Sequence, residues 1–316
     1  MQTGRIPALT GAGENPLCPI CATPAESIGS KTGGYFKRDF HYAECGACGL
    51  IFCIDPATNY AEIYDHAYYR GIGADPLVDY EYELQNPEGT IRRYEWRGIG
   101  KIVRNLTSGK PNARWLDFGC GTGGLVRYGR EIMGADIYGY DTGAYAERAR
   151  AMGLPILLDT ELEAQAGTFD VITLIEVIEH VVEPVPFMAK LRSLLKPGGL
   201  LFLTTGNSEP HRRRFLNWGY VVPEVHVCFY TPKAMAILYS ETNLNPLYSG
   251  GLVDGWTDII RYKVLKNLGV RKAPVWDALI PWSLATRIVD ARYRSSAFPL
   301  GVGPLDGEGA AALPPA

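Results

Sequence analysis

The run LDFGCGTGG at residues 116–124 joins an apolar segment to an amphipathic one, and it limits the possible folds more than any other stretch of the chain. Glycines at a strand-to-helix junction let the backbone approach a ligand closely and leave the first helical N–H groups open to it. The pattern then repeats. ARWLDFG precedes a helix starting at Gly123, DIYGYD precedes one starting at Gly143, and PILLD, FDVITLI and GLLFLTT follow. Strands alternating with helices predict a doubly wound α/β fold. VITLI and LLFLT are apolar at consecutive positions, as strands covered on both faces of a parallel sheet must be. Thr231 with Pro232 behind it reads as the start of a helix running to Leu244, with NPLYSGG and DIIRYKVL as further strand candidates.

Ahead of this region the chemistry changes. Four of the seven cysteines form two CxxC pairs, Cys18 with Cys21 and Cys45 with Cys48. Two short pairs present four thiolates to one ion, and each pair makes the bent knuckle that zinc prefers. Four thiolates leave no open coordination position, so a structural Zn2+ is expected rather than a catalytic one. A redox role for a CxxC is the competing use, and Cys53 is a spare thiol within reach. Residues 17–58 therefore read as a zinc ribbon too small to bury a core of its own. Residues 1–16 read as a flexible start, 59–110 as a tyrosine-rich linker with lid helices, 111–265 as the core domain, and 266–316 as a helical extension with a flexible tail. Within the linker, Ile91, Tyr94, Ile99, Ile102, Val103 and Leu106 recur at helical spacing, predicting a helix over 90–106. Residues 108–112 read as the hinge into the core.

The formal charge of −3 over 316 residues gives no reason for broad attraction to nucleic acid or anionic membranes, so a small-molecule substrate is the expected partner. No run has the length of a membrane span and the start lacks a secretion signal, which with free thiols predicts a cytoplasmic protein.

Asp141 ends the second strand of the core at about the spacing where an acid meets ribose hydroxyls, so the glycine loop implies a nucleoside cofactor. Here DFGCGTG, YGYD, FDVITLIEVIEHV and LKPGGLLFLTT together resemble the class I S-adenosylmethionine-dependent methyltransferases over roughly residues 90–265. The resemblance implies a Rossmann-like, mostly parallel seven-stranded sheet and S-adenosyl-L-methionine as methyl donor. It also implies that Gly119, Cys120, Gly121 and Gly123 line the cofactor, with Asp117 near its amino-acid end. Asp141 would then accept both ribose hydroxyls, Asp159 would reach the adenine, and Glu176 would contact the polar end. A nicotinamide dinucleotide is the competing cofactor, but nothing like EVIEHV belongs to that fingerprint. The order of ribbon, linker and core resembles a subgroup that includes sugar methyltransferases, so O-methylation of a sugar or related biosynthetic intermediate is expected, with C- or N-methylation of a nucleotide-linked sugar as the alternative.

Substrates of parallel α/β sheets collect beyond the strand ends, which makes Glu179 and His180 after the fourth strand, Asn207 and His211 after the fifth, and His226 in PEVHVCFYTP the candidate reaction residues. An imidazole titrates near neutrality and can take a hydroxyl proton, so His180 and His226 are the candidate bases, with Glu224 as an orienter of His226. Capping of the turn before Glu183 is the other use open to His180. The arginines at 212–214 suit a phosphate or carboxylate, or a solvated face. Tyr64, Tyr68, Tyr69, Tyr80 and Tyr82 suit an aromatic lid, or packing against the core. The amphipathic stretch 275–294 suits docking onto the core, or contact with a membrane. RNA methylation and a ligand-sensing ribbon protein are the alternative functions this sequence leaves open.

Overall fold

The computed structural model describes residues 15–64, 66–73, 79–107, 112–248, 255–286 and 300–304. Residues 1–14, most of the expected hinge, residues 287–294 of the amphipathic stretch and the end of the tail lie outside them.

Strands β1 (Glu26–Thr32), β2 (Asp39–Glu44) and β3 (Ile51–Cys53) open the chain as an antiparallel meander. Short helices α1 (Tyr60–Ile63), α2 (His66–Tyr69) and α3 (Tyr80–Gln85) carry the linker tyrosines, and α4 (Arg92–Leu106) is the helix expected there. The core then alternates: β4 (Arg114–Phe118), α5 (Gly124–Glu131), β5 (Asp136–Tyr140), α6 (Ala144–Ala151), β6 (Ile156–Leu157), α7 (Asp159–Glu163), β7 (Phe169–Ile175), α8 (Pro184–Leu194) and β8 (Leu195–Thr204). These strands form a parallel sheet in the order β6-β5-β4-β7-β8. Leu116, Ile172, Leu174, Leu201 and Leu203 are all fully buried in it, which explains the consecutive apolar positions. The order reverses at β4, so the crevice beyond β4 and β7 is the switch point where such sheets bind ligands.

After β8 come β9 (Cys228–Phe229), α9 (Pro232–Glu241), β10 (Leu244–Tyr248), α10 (Trp256–Asn267) and β11 (Leu300–Pro304). Thr231 caps α9 as expected, its hydroxyl accepting from the Ala234 N–H at 3.1 Å. DIIRYKVL, expected as a strand, is instead the body of α10. Its two isoleucines favoured a strand, yet Trp256, Ile259 and Ile260 fall on one helical face that packs on Trp96 and Ile99 of α4. Gly98 and Gly255 make this packing possible, because a Cβ on Gly98 would lie 2.6 Å from the Gly255 carbonyl oxygen. Beside β8 lies β11, antiparallel to it and to β10, from a stretch read as tail. Among the described residues no helix is long and apolar enough to cross a membrane.

The ribbon does not end with its own strands. β9, some 175 residues downstream, pairs antiparallel with β3 through Ile51 with Phe229 and Phe52 with Cys228. Ile51, Phe52 and Phe229 are buried together with the ribbon cysteines in the same apolar cluster as the core strands.

Candidate active site

The glycine loop leaves β4 at Gly119 (φ +77°), continues through Gly121 (φ +53°) and enters α5 at Gly123 (φ +70°). Left-handed backbone of this kind favours glycine. At Gly119 space forbids a side chain as well, since a Cβ would stand 2.4 Å from Val177 Cγ2. The loop is tied to the end of β5. The Gly119 N–H donates to the Tyr140 carbonyl at 2.7 Å, and the Gly121 N–H donates to Asp141 Oδ2 at 2.9 Å. Asp141 Oδ1 accepts from the Gly143 N–H at 2.7 Å. Burial raises the Asp141 pKa against the pull of these amide donors. Its carboxylate is thereby held at the mouth of the crevice, with lone pairs left over for a diol.

Asp117 is buried beneath the loop, where Oδ1 accepts from the Thr173 hydroxyl at 2.7 Å. Burial pushes its carboxyl up to about 7, opposed by the Thr173 bond and the Arg92 charge. The Cys120 side chain turns inward, towards Val126 and Ile156, so only its backbone faces the loop. Asp159 is exposed at the start of α7 and accepts from the Tyr140 hydroxyl at 2.7 Å.

Four of the five tyrosines expected as a lid cluster beside this loop. Tyr64, Tyr68, Tyr69 and Tyr80 form a ring cluster with centroids 4.8–6.1 Å apart, joined by Tyr145 at 4.5 Å from Tyr69. Tyr80 lies over the loop, 3.1 Å from where a Gly121 Cβ would be. Glu81 latches this segment to α6 through Arg148 at 2.6 Å and through the Tyr145 hydroxyl. Tyr82 stands apart, under Lys272.

Beyond β7 the chain turns sharply. Glu176 adopts φ +53°, an unusual conformation for a residue with a Cβ, and this throws its carboxylate back over the end of the sheet. There Oε1 accepts from Lys263 Nζ at 3.3 Å and Oε2 from the Tyr220 hydroxyl at 2.9 Å. Burial alone would raise this carboxyl, but Lys263, Lys266 and Tyr220 hold it down to about 2. Tyr220 also lies 2.5 Å from Glu179 Oε1, and Glu179 Oε2 accepts from the Thr205 hydroxyl at 2.8 Å. The Tyr220 hydroxyl thus faces two buried carboxylates, and burial and the Glu176 charge raise the Glu179 pKa.

His180 and His226 meet here, ring centroids 4.8 Å apart at 77°. His180 Nδ1 lies 3.2 Å from the Tyr64 hydroxyl, which links it to the lid. His226 Nδ1 lies 2.6 Å from the Tyr220 carbonyl oxygen, a group that can only accept. The Nδ1 therefore carries the proton and Nε2 is the basic nitrogen. The expected orienter of His226 was Glu224; the ring is oriented instead by the Tyr220 carbonyl, and Glu224 Oε1 accepts from the Tyr35 and Phe36 N–H groups at 2.7 and 3.2 Å. Tyr220 was not legible as a site residue, since a tyrosine in NWGYVVP carries no spacing signal. Glu179, His180 and His226 each offer a ligand atom within 4.8 Å of the others, a donor set that suits a divalent cation as well as proton transfer.

Asn207 and His211 are placed otherwise. Asn207 Oδ1 accepts from the Glu209 N–H, and His211 stacks on Trp218 at 4.3 Å. Of the arginine run, Arg212 is paired with Glu44 and Glu209.

At the far end of the ribbon, Cys18, Cys21, Cys45 and Cys48 bring four sulfurs within 4.8 Å of one another. Sγ atoms of Cys18 and Cys48 are 3.6 Å apart and those of Cys21 and Cys45 3.5 Å. A disulfide would need about 2 Å, whereas the edge of a tetrahedron with metal–sulfur bonds of about 2.3 Å is about 3.8 Å.

Residues 90–249 match the family described as Methyltransferase domain. The chain is 32% identical over 210 residues to a protein of Cereibacter sphaeroides named ubiquinone biosynthesis O-methyltransferase, a match covering 60% of this chain and 76% of that one. A protein of the same name from Xanthomonas campestris is 36% identical over 110 residues, 32% of this chain and 46% of that one. Among solved structures, phosphoethanolamine N-methyltransferase 2 of Haemonchus contortus superposes with a TM-score of 0.46 at 15% identity, over 78% of this chain and 60% of that one. The chain belongs to the methyltransferase domain family and is an S-adenosylmethionine-dependent methyltransferase.

Proposed function

We propose that the enzyme methylates a hydroxyl oxygen of a small acceptor held between the lid tyrosines and the His180–His226 pair. The observation that carries this reading is the His226 tautomer, which presents Nε2 as a base within the Glu179, His180 and His226 cluster beside the cofactor's crevice. The bound cofactor supplies an electrophilic methyl on a positively charged sulfur. Gly119, Cys120, Gly121 and Gly123 line it through their backbone, Asp141 accepts its ribose hydroxyls, Asp117 and Glu176 lie toward its amino-acid end, and Asp159 toward its adenine. With the cofactor bound, His226 Nε2 would take the O–H proton of the acceptor as its oxygen received the methyl from the sulfonium, whose carbon–sulfur bond would break. The products are a methyl ether, a neutral thioether and an imidazolium that returns its proton to water. His180 and Glu179 border the base, and the Tyr220 carbonyl keeps its second nitrogen in place.

A phenolic hydroxyl suits this arrangement better than the sugar expected from the order of segments. A phenol ionises near pH 10 and lies within easy reach of an imidazole, and the rings of Tyr64, His180, Tyr220 and His226 offer flat apolar contact. The names of the relatives, which refer to ubiquinone biosynthesis, support the same choice. Incubation with labelled methyl donor and a panel of catechols and nucleotide sugars tests it. Label on a catechol oxygen is expected, and transfer only to a sugar would overturn the phenolic reading. A second reading is carried by the convergence of Glu179, His180 and His226: a divalent cation there would bind the acceptor oxygen and lower its pKa. Loss of turnover in EDTA with full return on adding Mg2+ or Zn2+, at unchanged ribbon zinc content, favours that version over direct proton transfer.

The four ribbon cysteines hold a structural zinc in this reading. Their sulfur spacing supports it, and metal analysis of the purified protein, with one zinc per chain expected, tests it.

A further inference from the structure

We propose that the four-cysteine ribbon is a positioning element for methyl transfer, with Glu224 as the pin that sets His226 against His180. This rests on the reading of His226 as a reaction residue.

His226 lies in the segment 218–231, and the ribbon grips that segment along its length. Lys31 of β1 donates to the Val221 carbonyl at 2.8 Å and the Trp218 carbonyl at 3.4 Å. At the tip of the β1–β2 hairpin, the Tyr35 and Phe36 N–H groups donate to Glu224, which is 2% exposed. Gly33 is shaped to this contact, since a Cβ there would stand 2.3 Å from Glu224 Oε1. The Cys53 N–H donates to the Val227 carbonyl at 2.8 Å, and β9 then pairs with β3. Thr231 Oγ1 lies 3.1 Å from the carbonyl of Cys48, one of the clustered cysteines. From the opposite side the Val227 N–H donates to the Glu179 carbonyl at 2.7 Å. Val227, immediately after His226, and Glu224, two residues before it, are thus both hydrogen-bonded to other elements, and His226 lies between them.

Apart from Glu176, whose carboxylate accepts from Tyr220, the cofactor's cradle is built from different parts: the end of β4, the end of β5 and Tyr80. Loosening the ribbon's grip should therefore slow transfer while leaving cofactor affinity alone. A buried carboxylate spanning two backbone donors contributes position as well as stability, because removing it leaves both N–H groups without that acceptor.

The test compares Glu224→Ala with Glu224→Gln in the full-length, zinc-loaded protein, since the Gln amide oxygen can still accept from both N–H groups. With five histidines in the chain, ring signals are separable by NMR, and those of His226 are assigned from a His226→Gln control. In Glu224→Ala the His226 ring signals should move and kcat should fall at least tenfold, with cofactor Kd by calorimetry within twofold. Glu224→Gln should restore both. His226 signals that stay in place in Glu224→Ala would overturn the proposal, as would parallel loss of cofactor affinity. Should Glu224→Ala fail to fold, Lys31→Met tests the same grip with the same readouts. If His226→Gln itself keeps full turnover, the base assignment falls, while the NMR arm still decides the positioning.

Discussion

The two sheets of this molecule are held together by different means. In the parallel sheet, burial does the work: β4, β7 and β8 are apolar through consecutive positions and covered on both faces by helices. The ribbon sheet is short, β1 is largely exposed, and its one fully buried strand of three residues borrows its partner from the core. Its other ties are the hydrogen bonds to segment 218–231 and the burial of Phe40, Tyr42 and Leu50 in the shared apolar cluster. One region is built on its own area, the other on a strand and an apolar cluster shared with the first, and the two candidate bases meet where these regions join.

That contrast can be broken or sharpened by substitution. The largest effect should come at the junction: His226→Ala should lower kcat by about 10²–10⁴-fold, the range for loss of a general base, with cofactor affinity little changed. Single-turnover assays check this. A change in the core alone should do the reverse. Asp141→Ala removes a charged acceptor and should weaken cofactor binding roughly ten- to hundredfold by calorimetry, with the metal content of the protein equal to that of the parent. Within the core again, Gly119→Ala forces a side chain into left-handed backbone and against Val177, and should destabilise the fold by about 1–3 kcal/mol in denaturant titration. Thr231→Ala touches both regions, as the cap of α9 and as a neighbour of Cys48, and should cost about 1 kcal/mol.

A last effect is one of pH and comes from two buried carboxyls. Burial first, opposed by Thr173 and Arg92, leaves the Asp117 carboxyl at about 7, above its unfolded value of about 3.9. Between those values the folded state binds more protons than the unfolded one. Stability should therefore fall as pH rises from about 4 through about 7. Glu83, pushed by burial to about 7, acts in the same direction. Thermal melts of the cofactor-free protein should show a shallow downward slope over this range, flattened in Asp117→Asn and further in Asp117→Asn with Glu83→Gln. An unchanged slope in the double variant would place the pH dependence elsewhere.

Much of the core could be read from the chain because its signals are local. Glycines at 119, 121 and 123, the acid at 141 and the consecutive apolar runs each declare a strand, a turn or a contact from a few adjacent residues. What escaped reading was non-local. Ile259 and Ile260 carry strand propensity, and only the approach of Gly98 to Gly255 makes their helix the better solution. Cys228 and Phe229 are too few to announce a strand until β3 is beside them. Tyr220 acquires meaning from two carboxylates more than forty positions earlier. Glu224 was read as the orienter of the His226 imidazole, whereas its carboxylate accepts from N–H groups at the hairpin tip, a distinction that spacing cannot make.

The borrowed strand also has a consequence for how the protein is made. Ile51 to Cys53 leave the ribosome some 175 residues before Phe229 does, which at 5–20 residues per second is a wait of roughly 10–35 s. During that interval a nascent ribbon, even one already loaded with metal, shows an apolar edge with unused backbone donors and acceptors. Slow elongation after the ribbon, or a shortage of metal at its start, should thus send chains to aggregation before the catalytic half has been synthesised.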